Sequence, residues 1–417
     1  MVAWRCLTFG VAVMPSNKIS DQAFHLSAGI RPEKIDVVPR QPYSDISIEF
    51  LNDLSKSLMT DSEARNYSDV ISFAFWCRRA NLRKKDSRLD ENVYTIGRGL
   101  AFHITPSNVP VNFAFSFAFG VLAGNSNIVR VPKEDFEQKK IILKHIERLF
   151  DMHKFLIILK QNSFIFFDRN DVLCRQFSSI ADCRLIWGGD ETINYFKTLP
   201  TSVRNIDICF ADRYSLSLID ASKVLELSPL ELSRLCQNFC NDNLLFNQLA
   251  CSSSHLVIWR GTTKIINTAK KRFWAAIETR MIVDRNMTDA DYVERFARMS
   301  NIALRFGKFK LENSLSDQVL RSEITIVNEG LVEYKVGYGY FSELHNVTNV
   351  ALAKLVTNRF QTITYYGIDK NQLVEDLLLE GAKGIDRVVP IGEALNLDVI
   401  WDGYDLISKL TRKIKVQ

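Results

Sequence analysis

Residues 96–110 carry a strand-like run into a polar loop and read Ile96-Gly97-Arg98-Gly99-Leu100-Ala101-Phe102-His103-Ile104-Thr105-Pro106-Ser107-Asn108-Val109-Pro110. Two prolines punctuate the loop, and the apolar run from Phe113 to Leu122 predicts a helix directly after it. That helix ends at Ala123-Gly124-Asn125, and a second strand-like run, Asn127 to Val131, meets Pro132. This pattern predicts a strand–helix–strand unit with its polar loop at the carboxyl end of a strand, where open α/β sheets bind ligands.

The alternation continues downstream and predicts a parallel sheet covered by helices. The predicted elements are helices over 134–151 and 171–180 and strands over 164–167, 184–187, 206–210 and 215–219. The strand 184–187 runs into Gly188-Gly189 at the start of another helix. Backbone N–H groups at a helix N-terminus attract anions, so this turn is a candidate pyrophosphate site, although it lacks the G-x-G-x-x-G spacing.

A second polar stretch, Asn247-Gln248-Leu249-Ala250-Cys251-Ser252-Ser253-Ser254, carries one cysteine into the apolar run His255 to Trp259. The helix before it begins at Ser228-Pro229-Leu230-Glu231, a capping box with proline at the first helical position. A reactive thiolate needs a partly exposed position near donors, and small serine neighbours leave room for a substrate. A lone cysteine is more often a buried apolar residue, so both interpretations of Cys251 stay open at this point.

Asn108 is the polar side chain of interest in the first loop. Its amide hydrogens can be donated to an oxyanion that develops during acyl transfer. The ordinary alternative is an asparagine that serves only the geometry of a turn.

Composition bounds the class of protein. The 417 residues suffice for two or three domains, and 47% hydrophobic and 24% charged residues exclude a disordered or fibrous chain. The net charge of +5 fits phosphorylated or acidic partners and does not demand nucleic acid. The eight cysteines form no CxxC pair of the metal-binding kind and suggest no disulfide framework, so we expect no metal and a cytoplasmic, reducing compartment.

The ends of the chain give weaker signals. Met1 to Met14 is apolar, but its apolar core is brief and no cleavage site follows, so a first strand or a disordered start is expected rather than a signal peptide. Residues 20–90 look mostly helical and end in a basic run, 78–85. We interpret this run as a solvated helix face and turn, and the alternative is a docking patch for an acidic carrier protein or for cofactor phosphates. No stretch approaches the roughly 20 apolar residues of a membrane span. The end of the chain predicts a basic amphipathic helix with Leu406, Ile407, Leu410 and Ile414 on its apolar side.

Three of these segments together resemble the aldehyde dehydrogenase superfamily. His103 to Pro110 is similar to the P-W-N-x-P loop of that superfamily, with Ser107 in place of tryptophan. Ala123-Gly124-Asn125 with Val129 to Pro132 resembles its A-x-G-N-x-x-V-x-K-P segment, with arginine in place of lysine. Asn247 to Cys251 resembles, less closely, its N-x-G-Q-x-C nucleophile loop.

The closer resemblance is to one branch, the acyl-CoA reductases typified by the fatty acid reductase subunit of bacterial luciferase operons. Its motifs occur here in the same order from about residue 95 to the C-terminus. They are His103 to Pro110, Asp212-Arg213-Tyr214-Ser215-Leu216, Asn247 to Ser253, Arg359 to Gly367, Gly384 to Gly392, and Trp401-Asp402-Gly403-Tyr404-Asp405. So many motifs in order make the resemblance specific.

The resemblance implies an α/β, aldehyde-dehydrogenase-like fold with a doubly wound cofactor domain, a smaller α/β catalytic domain and a β-extension used in oligomerisation. The corresponding bounds are 95–245 for the dinucleotide-binding domain and 246–400 for the catalytic domain with the cysteine. A mostly helical region over 1–94 would pack on the cofactor domain, and a tail helix would occupy 401–417.

By this resemblance Cys251 is the nucleophile that accepts a fatty acyl group, and Asn108 forms an oxyanion hole with the backbone N–H of Cys251. The superfamily's general-base glutamate, expected in an E-L-G-G segment, has no counterpart around Phe210-Ala211-Asp212-Arg213. Oxidative dehydrogenases use that base to activate the water that hydrolyses the thioacyl enzyme. Its absence therefore favours a reductase.

The resemblance also implies a nicotinamide cofactor. Gly188 and Gly189 would face its pyrophosphate, and Pro106 and Ser107 lie in the loop beside it. Arg130 takes the place of the superfamily lysine that contacts the adenosine ribose. A planar guanidinium binds a 2′-phosphate bidentately, which favours NADPH.

Three further residues are candidates with ordinary alternatives. Glu343 is one candidate for the glutamate that contacts the nicotinamide ribose, on a weak motif match. His103 and His255 are possible bases, and a strand at His255 would point it to the same face as Ser253 and Cys251. The ordinary interpretation of either histidine is a satisfied, partly buried side chain.

The function implied is NADPH-dependent reduction of a long-chain fatty acyl thioester, acyl-CoA or acyl-protein, to a fatty aldehyde through a thioacyl intermediate on Cys251. The alternatives are an oxidative NAD(P)-dependent aldehyde dehydrogenase and a non-catalytic subunit that only holds acyl groups. An acyl-protein synthetase partner and a homo-oligomer are expected, without nucleic acid and without a membrane span.

Overall fold

The computed structural model describes residues 24–85, 93–107, 109–168, 170–284, 287–306, 311–312, 317–324 and 329–416. The predicted start over Met1 to Met14 and the candidate Asn108 lie outside these residues. The chain divides into two compact units. The first runs to Ala211 and also contains 398–400 and 404–417, and the second comprises 212–397 and 401–403.

The first unit alternates strands and helices along most of its length. Its strands are β1 (His25–Gly29), β2 (Val93–Gly97), β3 (Leu100–Ile104), β4 (Ser126–Arg130), β5 (Asn162–Phe166), β6 (Cys183–Trp187) and β7 (Ile206–Phe210). Its helices are α1 (Asp45–Thr60), α2 (Ser68–Trp76), α3 (Arg79–Lys84), α4 (Asn112–Leu122), α5 (Glu137–Phe150), α6 (Leu156–Leu159), α7 (Asp171–Ile180) and α8 (Asp190–Thr198). The predicted βα alternation is therefore present.

One six-stranded sheet organises this unit in the order β1-β5-β4-β3-β6-β7. Strands β5, β4, β3, β6 and β7 are parallel, and β1 adds an antiparallel edge to β5. The chain winds outward from β3 to β5 and then returns to β6 on the other side of β3, which is the doubly wound arrangement. The predicted doubly wound fold is confirmed, whereas β1 falls in a region for which the sequence predicted mainly helix.

Aromatic side chains fill the space between this sheet and its helices. Every residue of α4 is buried, because this helix is apolar on all sides and lies between the sheet and the outer helices. Phe117 of α4 packs against Phe164 of β5 with ring centroids 4.7 Å apart, and against Phe50 of α1 at 6.1 Å. Gly124 ends α4 with φ of +80°, and a side chain there would lie 2.2 Å from the Arg40 carbonyl oxygen. The predicted stop at Ala123-Gly124-Asn125 thus has a steric cause.

The second unit contains strands β8 (Tyr214–Asp220), β9 (Ser254–Arg260), β10 (Leu320–Glu323), β11 (Tyr340–His345), β12 (Phe360–Tyr366) and β13 (Arg387–Pro390). Its helices are α9 (Ala221–Glu226), α10 (Pro229–Leu244), α11 (Thr263–Asp284), α12 (Asp289–Phe306), α13 (Asn349–Leu355) and α14 (Lys370–Leu379). The strands form a second sheet in the order β10-β11-β9-β8-β12-β13, and all of its pairs are parallel.

The boundary between the units lies at Ala211 and Asp212, before the position expected at 245 and 246. The reason is that β8 pairs with β9 and β12 in the second sheet, and α10 packs on the same core through Phe239. The region before residue 95 joins the first unit, where α1 packs on α2, α4 and α5.

The C-terminal segment differs from the prediction of a tail helix. It comprises the hairpin strands β14 (Ile400–Trp401) and β15 (Tyr404–Asp405), a short helix α15 (Leu406–Leu410) and a strand β16 (Thr411–Lys415). Leu406, Ile407 and Leu410 are buried as predicted, but Ile414 belongs to β16, which pairs antiparallel with β2. The prediction of one helix over 401–417 is wrong because the alternation of Thr411 to Lys415 extends a sheet. A role of this pair in oligomerisation stays a prediction.

Across the described residues, none of the helices combines the length and the apolar character that crossing a membrane requires.

Candidate active site

Cys251 lies in the loop between α10 and β9. The capping box predicted at the start of α10 is present, with the Glu231 carboxylate accepting from the Ser228 backbone N–H at 2.9 Å. After α10 ends, Asn247 and Gln248 have φ values of +51° and +62°. Non-glycine residues seldom occupy this left-handed region, and two in succession turn the chain sharply.

Gln248 holds this turn in place from within the protein. Its side chain is buried, and its Nε2 donates to the carbonyl oxygens of Ser254 at 2.7 Å and Tyr340 at 2.9 Å. Its Oε1 accepts from the Gly339 N–H at 3.0 Å. The glutamine of the N-Q-x-x-C motif therefore anchors the cysteine loop to β9 and β11.

The three serines after Cys251 do not provide the open space that the sequence suggested, and two of them anchor the loop. All three are buried. Ser253 Oγ donates to the Asp242 carbonyl at 2.8 Å, and the Ser254 N–H donates to Asn243 Oδ1 at 2.6 Å. The last turn of α10 thus fixes the residues on the carboxyl side of Cys251.

Two neighbouring strands hold Cys251 itself. Ser215 of β8 donates its hydroxyl hydrogen to the Cys251 carbonyl oxygen at 2.8 Å. Gln361 of β12 places its Nε2 3.5 Å from the Cys251 sulfur and 2.8 Å from Asp402 Oδ1. The partly buried thiol therefore has a neutral amide donor beside its sulfur, with a carboxylate behind that donor.

Arg213 ties the surrounding segments together. Its Nε donates to Asp402 Oδ1 at 2.7 Å, and its terminal nitrogens donate to the Asp386 carboxylate and the Asn358 carbonyl oxygen. Asp402 and Gly403 form the two-residue turn of the β14–β15 hairpin, with φ of +52° and +75°. A side chain at Gly403 would lie 2.8 Å from Asp386 Oδ1, so the turn requires glycine on two counts.

These contacts bring together residues from motifs to which the sequence assigned no role. Four such motifs each contribute one side chain to the network around Cys251. These side chains are Arg213 from 212–216, Gln361 from 359–367, Asp386 from 384–392 and Asp402 from 401–405. The available signal was the charged and amide side chains of these motifs, which need partners when buried. Their meeting depends on which strands are neighbours, and single-sequence patterns do not give that order.

The electrostatics of Cys251 are mixed. Burial raises the pKa of its thiol, and the Asp402 carboxylate raises that pKa further. The Gln361 hydrogen bond and the charges of Lys335 and Arg387 lower the same pKa, with a smaller total effect. At neutral pH the thiol form therefore predominates, and the thiolate fraction grows as pH rises.

The residues predicted to bind a cofactor meet at one edge of the first sheet. Pro106 and Ser107 follow β3, and Gly188 and Gly189 follow its neighbour β6, with Ile104 of β3 paired to Ile186 of β6. Arg130 ends β4 on the other side of β3. This edge is the carboxyl edge at the topological switch point, where doubly wound sheets bind dinucleotides. The five residues share this location, and their individual contacts with a cofactor stay predictions.

Two features of this edge favour binding of an anionic dinucleotide, and one feature disfavours it. Gly189 precedes α8, and a side chain added there would meet no atom within 4 Å, so a group can approach the helix N-terminus closely. The guanidinium of Arg130 stacks 4.6 Å from the centre of the Phe167 ring and donates to the Phe167 carbonyl at 3.2 Å. The acidic first turn of α8, Asp190 and Glu191, opposes an anion there. The open glycine and the nearby guanidinium suit an anionic group, whereas the two acidic side chains of α8 disfavour it.

The two histidine candidates are both buried. His103 is fully buried, and its ring nitrogens contact Ser116 Oγ at 2.8 Å and Asn127 Oδ1 at 3.0 Å. Burial lowers the pKa of His103 to about 4, so it is neutral and satisfied, as the ordinary interpretation holds. His255 lies against the Tyr214 ring, 5.6 Å between ring centres, and burial lowers its pKa well below the usual range. The predicted alternation from Cys251 to His255 is wrong because β9 begins only at Ser254, with a register irregularity opposite Ser215.

Glu343 belongs to a buried network in the core of the second unit. It is fully buried, and its Oε1 accepts from the indole N–H groups of Trp259 at 2.8 Å and Trp274 at 2.9 Å. Its Oε2 lies 3.0 Å from Lys270 Nζ. The interpretation of Glu343 as a ribose contact is wrong, because the carboxylate is enclosed and bound within the protein.

Among the residues that the structure describes, no group of three or more histidine, cysteine or acidic side chains has the arrangement of a metal site.

Solved structures of aldehyde dehydrogenases share this fold. An NAD-dependent benzaldehyde dehydrogenase from Corynebacterium glutamicum aligns with a TM-score of 0.62 over 90% of this chain and 85% of its own, at 11% identity. Lactaldehyde dehydrogenase from Escherichia coli aligns with a TM-score of 0.59 over 89% and 86%, at 10% identity. The chain therefore has the aldehyde dehydrogenase fold. Residues 33–413 match the acyl-CoA reductase (LuxC) family, and the chain belongs to that family.

Two curated relatives carry a more specific name. The long-chain acyl-protein thioester reductase of Aliivibrio fischeri is 26% identical over 168 residues, which are 39% of this chain and 32% of that protein. Long-chain acyl-protein thioester reductase 2 of Photobacterium leiognathi is 23% identical over 172 residues, 40% of this chain and 34% of that protein. The matched stretch spans about a third of the length of each relative.

Proposed function

We propose that this chain reduces a long-chain fatty acyl thioester, acyl-CoA or acyl-protein, to a fatty aldehyde through a thioacyl intermediate on Cys251. The observation that carries the proposal is the amide of Gln361 at the Cys251 sulfur, 3.5 Å away, in a chain of the acyl-CoA reductase family. A cysteine kept only for packing needs no donor at its sulfur.

The proposed reaction begins with the exchange of one thioester for another. The Cys251 thiolate attacks the acyl carbonyl carbon, the new carbon–sulfur bond forms, and the donor's thiolate leaves with its electron pair. Asn108 and the Cys251 backbone N–H are the proposed donors to the oxyanion, on the resemblance alone. Each such donor typically lowers the barrier by about 3 kcal/mol.

The proposed cofactor is NADPH, and its chemistry is delivery of a hydride to the thioacyl carbonyl carbon. The residues proposed to hold it are Pro106, Ser107, Gly188 and Gly189 around the pyrophosphate and Arg130 at the 2′-phosphate. Support comes from their shared position at the switch point of the doubly wound sheet.

The proposed direction of the reaction rests on the missing counterpart of the superfamily glutamate around Phe210-Ala211-Asp212-Arg213. Asp212 stands where the sequence lacks the superfamily glutamate, and its carboxylate pairs with Lys335 at 2.5 Å and Arg359 at 3.6 Å. A carboxylate that is paired with two cations is already engaged and is less available to activate a water. We infer that hydrolysis of the thioacyl enzyme is slow, which favours reduction over the oxidative alternative.

The test is to mix the purified chain with a long-chain acyl-CoA and NADPH and to follow NADPH absorbance and fatty aldehyde. We expect equal molar loss of NADPH and gain of aldehyde. Formation of NADPH from aldehyde and NADP⁺, with no reduction of acyl-CoA, would support the oxidative alternative. Binding of acyl groups with no loss of NADPH from either acyl-CoA or an acyl-protein would support the non-catalytic acyl-holding subunit.

The proposal includes partners and assembly. An acyl-protein synthetase that hands over the acyl group and association of identical chains are proposed on the family resemblance. A cytoplasmic location is proposed from the cysteine content of the sequence.

Acylation of Cys251 is expected to accelerate with pH. Since burial and Asp402 raise the thiol pKa, the thiolate fraction grows about tenfold per pH unit from neutral pH towards that pKa. The rate of label transfer from acyl-CoA at limiting substrate should therefore rise with a slope near one between about pH 7 and pH 8.5. A flat profile over this interval would contradict the raised pKa.

Arg130→Met is expected to raise the KM for NADPH by about tenfold or more and to leave the KM for NADH within about twofold, since only NADPH carries a 2′-phosphate. Lys133→Met is the matched control, because it removes a neighbouring positive charge that pairs with Asp168 on the surface. Equal effects of Arg130→Met on both cofactors would refute the assignment to the 2′-phosphate.

A further inference from the structure

Gln361 touches the atom at which the proposed chemistry occurs. Its side chain is buried on β12, and the one nitrogen of its amide contacts both Cys251 Sγ, at 3.5 Å, and Asp402 Oδ1, at 2.8 Å. A primary amide nitrogen carries two hydrogens, so it can serve both acceptors at once. The amide oxygen is occupied separately and accepts from the Thr362 hydroxyl at 3.3 Å.

The neighbours of Gln361 determine which end of the amide faces the sulfur. An ionised carboxylate accepts hydrogen bonds and cannot donate them, so Asp402 selects the amide nitrogen over the oxygen. Arg213 Nε donates to the same Oδ1 of Asp402 at 2.7 Å, so this oxygen acts as an acceptor. Asp402 is itself held in the tight turn of the β14–β15 hairpin. The amide is therefore preorganised with a hydrogen directed at Cys251.

We propose that Gln361 is a catalytic residue, which stabilises the Cys251 sulfur in the two steps in which that sulfur carries negative charge; this rests on the function proposed above. In the first step the thiolate attacks the acyl carbonyl carbon and the donor's thiolate departs. In the second, after hydride transfer from a reduced nicotinamide dinucleotide, the oxyanion re-forms the carbonyl, the bond from carbon to Sγ breaks and its electron pair returns to Sγ.

The hydrogen bond from Gln361 favours the charged states selectively. A thiolate is a strong acceptor, whereas the sulfur of the resting thioester is neutral and accepts weakly. Only interactions that are stronger in the transition state than in the ground state accelerate a step. The charged groups acting on this sulfur are Asp402, which disfavours the thiolate, and Lys335 and Arg387, which favour it.

The test compares the ionisation of Cys251 in wild type and two variants by the pH dependence of its alkylation with iodoacetamide. Gln361→Met removes the donor at similar volume, and Gln361→Asn keeps an amide but withdraws it by one methylene. We expect either variant to raise the alkylation pKa by about one unit and to slow acylation at pH 7 by roughly tenfold or more. The alkylation pKa is compared in whichever variant melts at the same temperature as the wild type. Gln237→Met is the control: it removes a glutamine of α10 that donates to Asn241 of the same helix, and it should leave the profile unchanged.

Asp402 is a positioning residue in this account, and a second pair of variants tests that role. Asp402→Asn and Asp402→Gly both remove the charge and both suit the positive φ of the turn, but only asparagine retains an acceptor for Gln361. We expect a lower alkylation pKa in Asp402→Asn than in Asp402→Gly. Equal values would overturn the positioning role.

The outcomes separate this inference from the function on which it rests, because alkylation needs no acyl donor. If the wild-type chain is acylated and a folded Gln361 variant has the same alkylation pKa, only the catalytic role of Gln361 is refuted. If neither acyl-CoA nor acyl-protein acylates the wild-type chain, the proposed function and the catalytic role of Gln361 are both refuted.

Discussion

Replacing Cys251 with alanine is expected to reduce aldehyde formation by roughly 10⁴-fold or more, because the covalent route through the thioacyl enzyme disappears. The loop should keep its shape, since Gln248, Ser253 and Ser254 anchor it through bonds that do not involve the thiol. The measurement is aldehyde production from acyl-CoA and NADPH, with thermal melting followed in parallel.

Cys240→Ala is the matched control for this variant. Cys240 is a buried cysteine of α10 in the core of the same unit, so its loss should cost stability and leave the chemistry. A Cys251→Ala chain that still forms aldehyde at more than about a hundredth of the wild-type rate would contradict nucleophilic catalysis by this residue.

Glu343→Leu is expected to lower the free energy of unfolding by about 3–5 kcal/mol, because it leaves a buried cation and two buried indole N–H groups without their acceptor. Lys270, Trp259 and Trp274 all lose the carboxylate that lies between them. Urea unfolding followed by tryptophan fluorescence reports directly on this network. Glu343→Gln should cost less, since an amide oxygen still accepts from the indoles.

Glu323→Leu provides the control, because Glu323 pairs with the same Lys270 at 3.7 Å from the partly exposed rim of the network. Its removal should change the free energy of unfolding by at most about 1 kcal/mol. Similar losses for the two glutamates would contradict the account of Glu343 as the centre of a buried network.

The sequence predicted the first sheet well, because buried parallel strands are apolar runs separated by amphipathic helices. It did not predict β1, a short strand (His25–Gly29) at the edge of the sheet. Nor did it predict β16, which begins directly after the end of α15. Both strands depend on a partner far away in the chain, and local patterns do not specify such partners.

The site could be predicted in part for the same reason. The loop of Cys251 has a local signature, and the order of the motifs is the basis for proposing this cysteine as the nucleophile. Gln361, Asp402 and Arg213 lie far apart in the chain and meet only because β8 and β12 are neighbours and the hairpin at Asp402 returns to them. Glu343 shows the opposite case, in which a local motif match predicted a cofactor contact and burial made the residue part of the core.

Mass spectrometry of the intact chain after incubation with a long-chain acyl-CoA, without reductant, shows directly whether Cys251 takes up the acyl group. We expect one added acyl group, located on the peptide that contains Cys251, and its release as aldehyde when NADPH is added. An unmodified chain, or an acyl group on another residue that NADPH discharges equally well, would contradict this expectation.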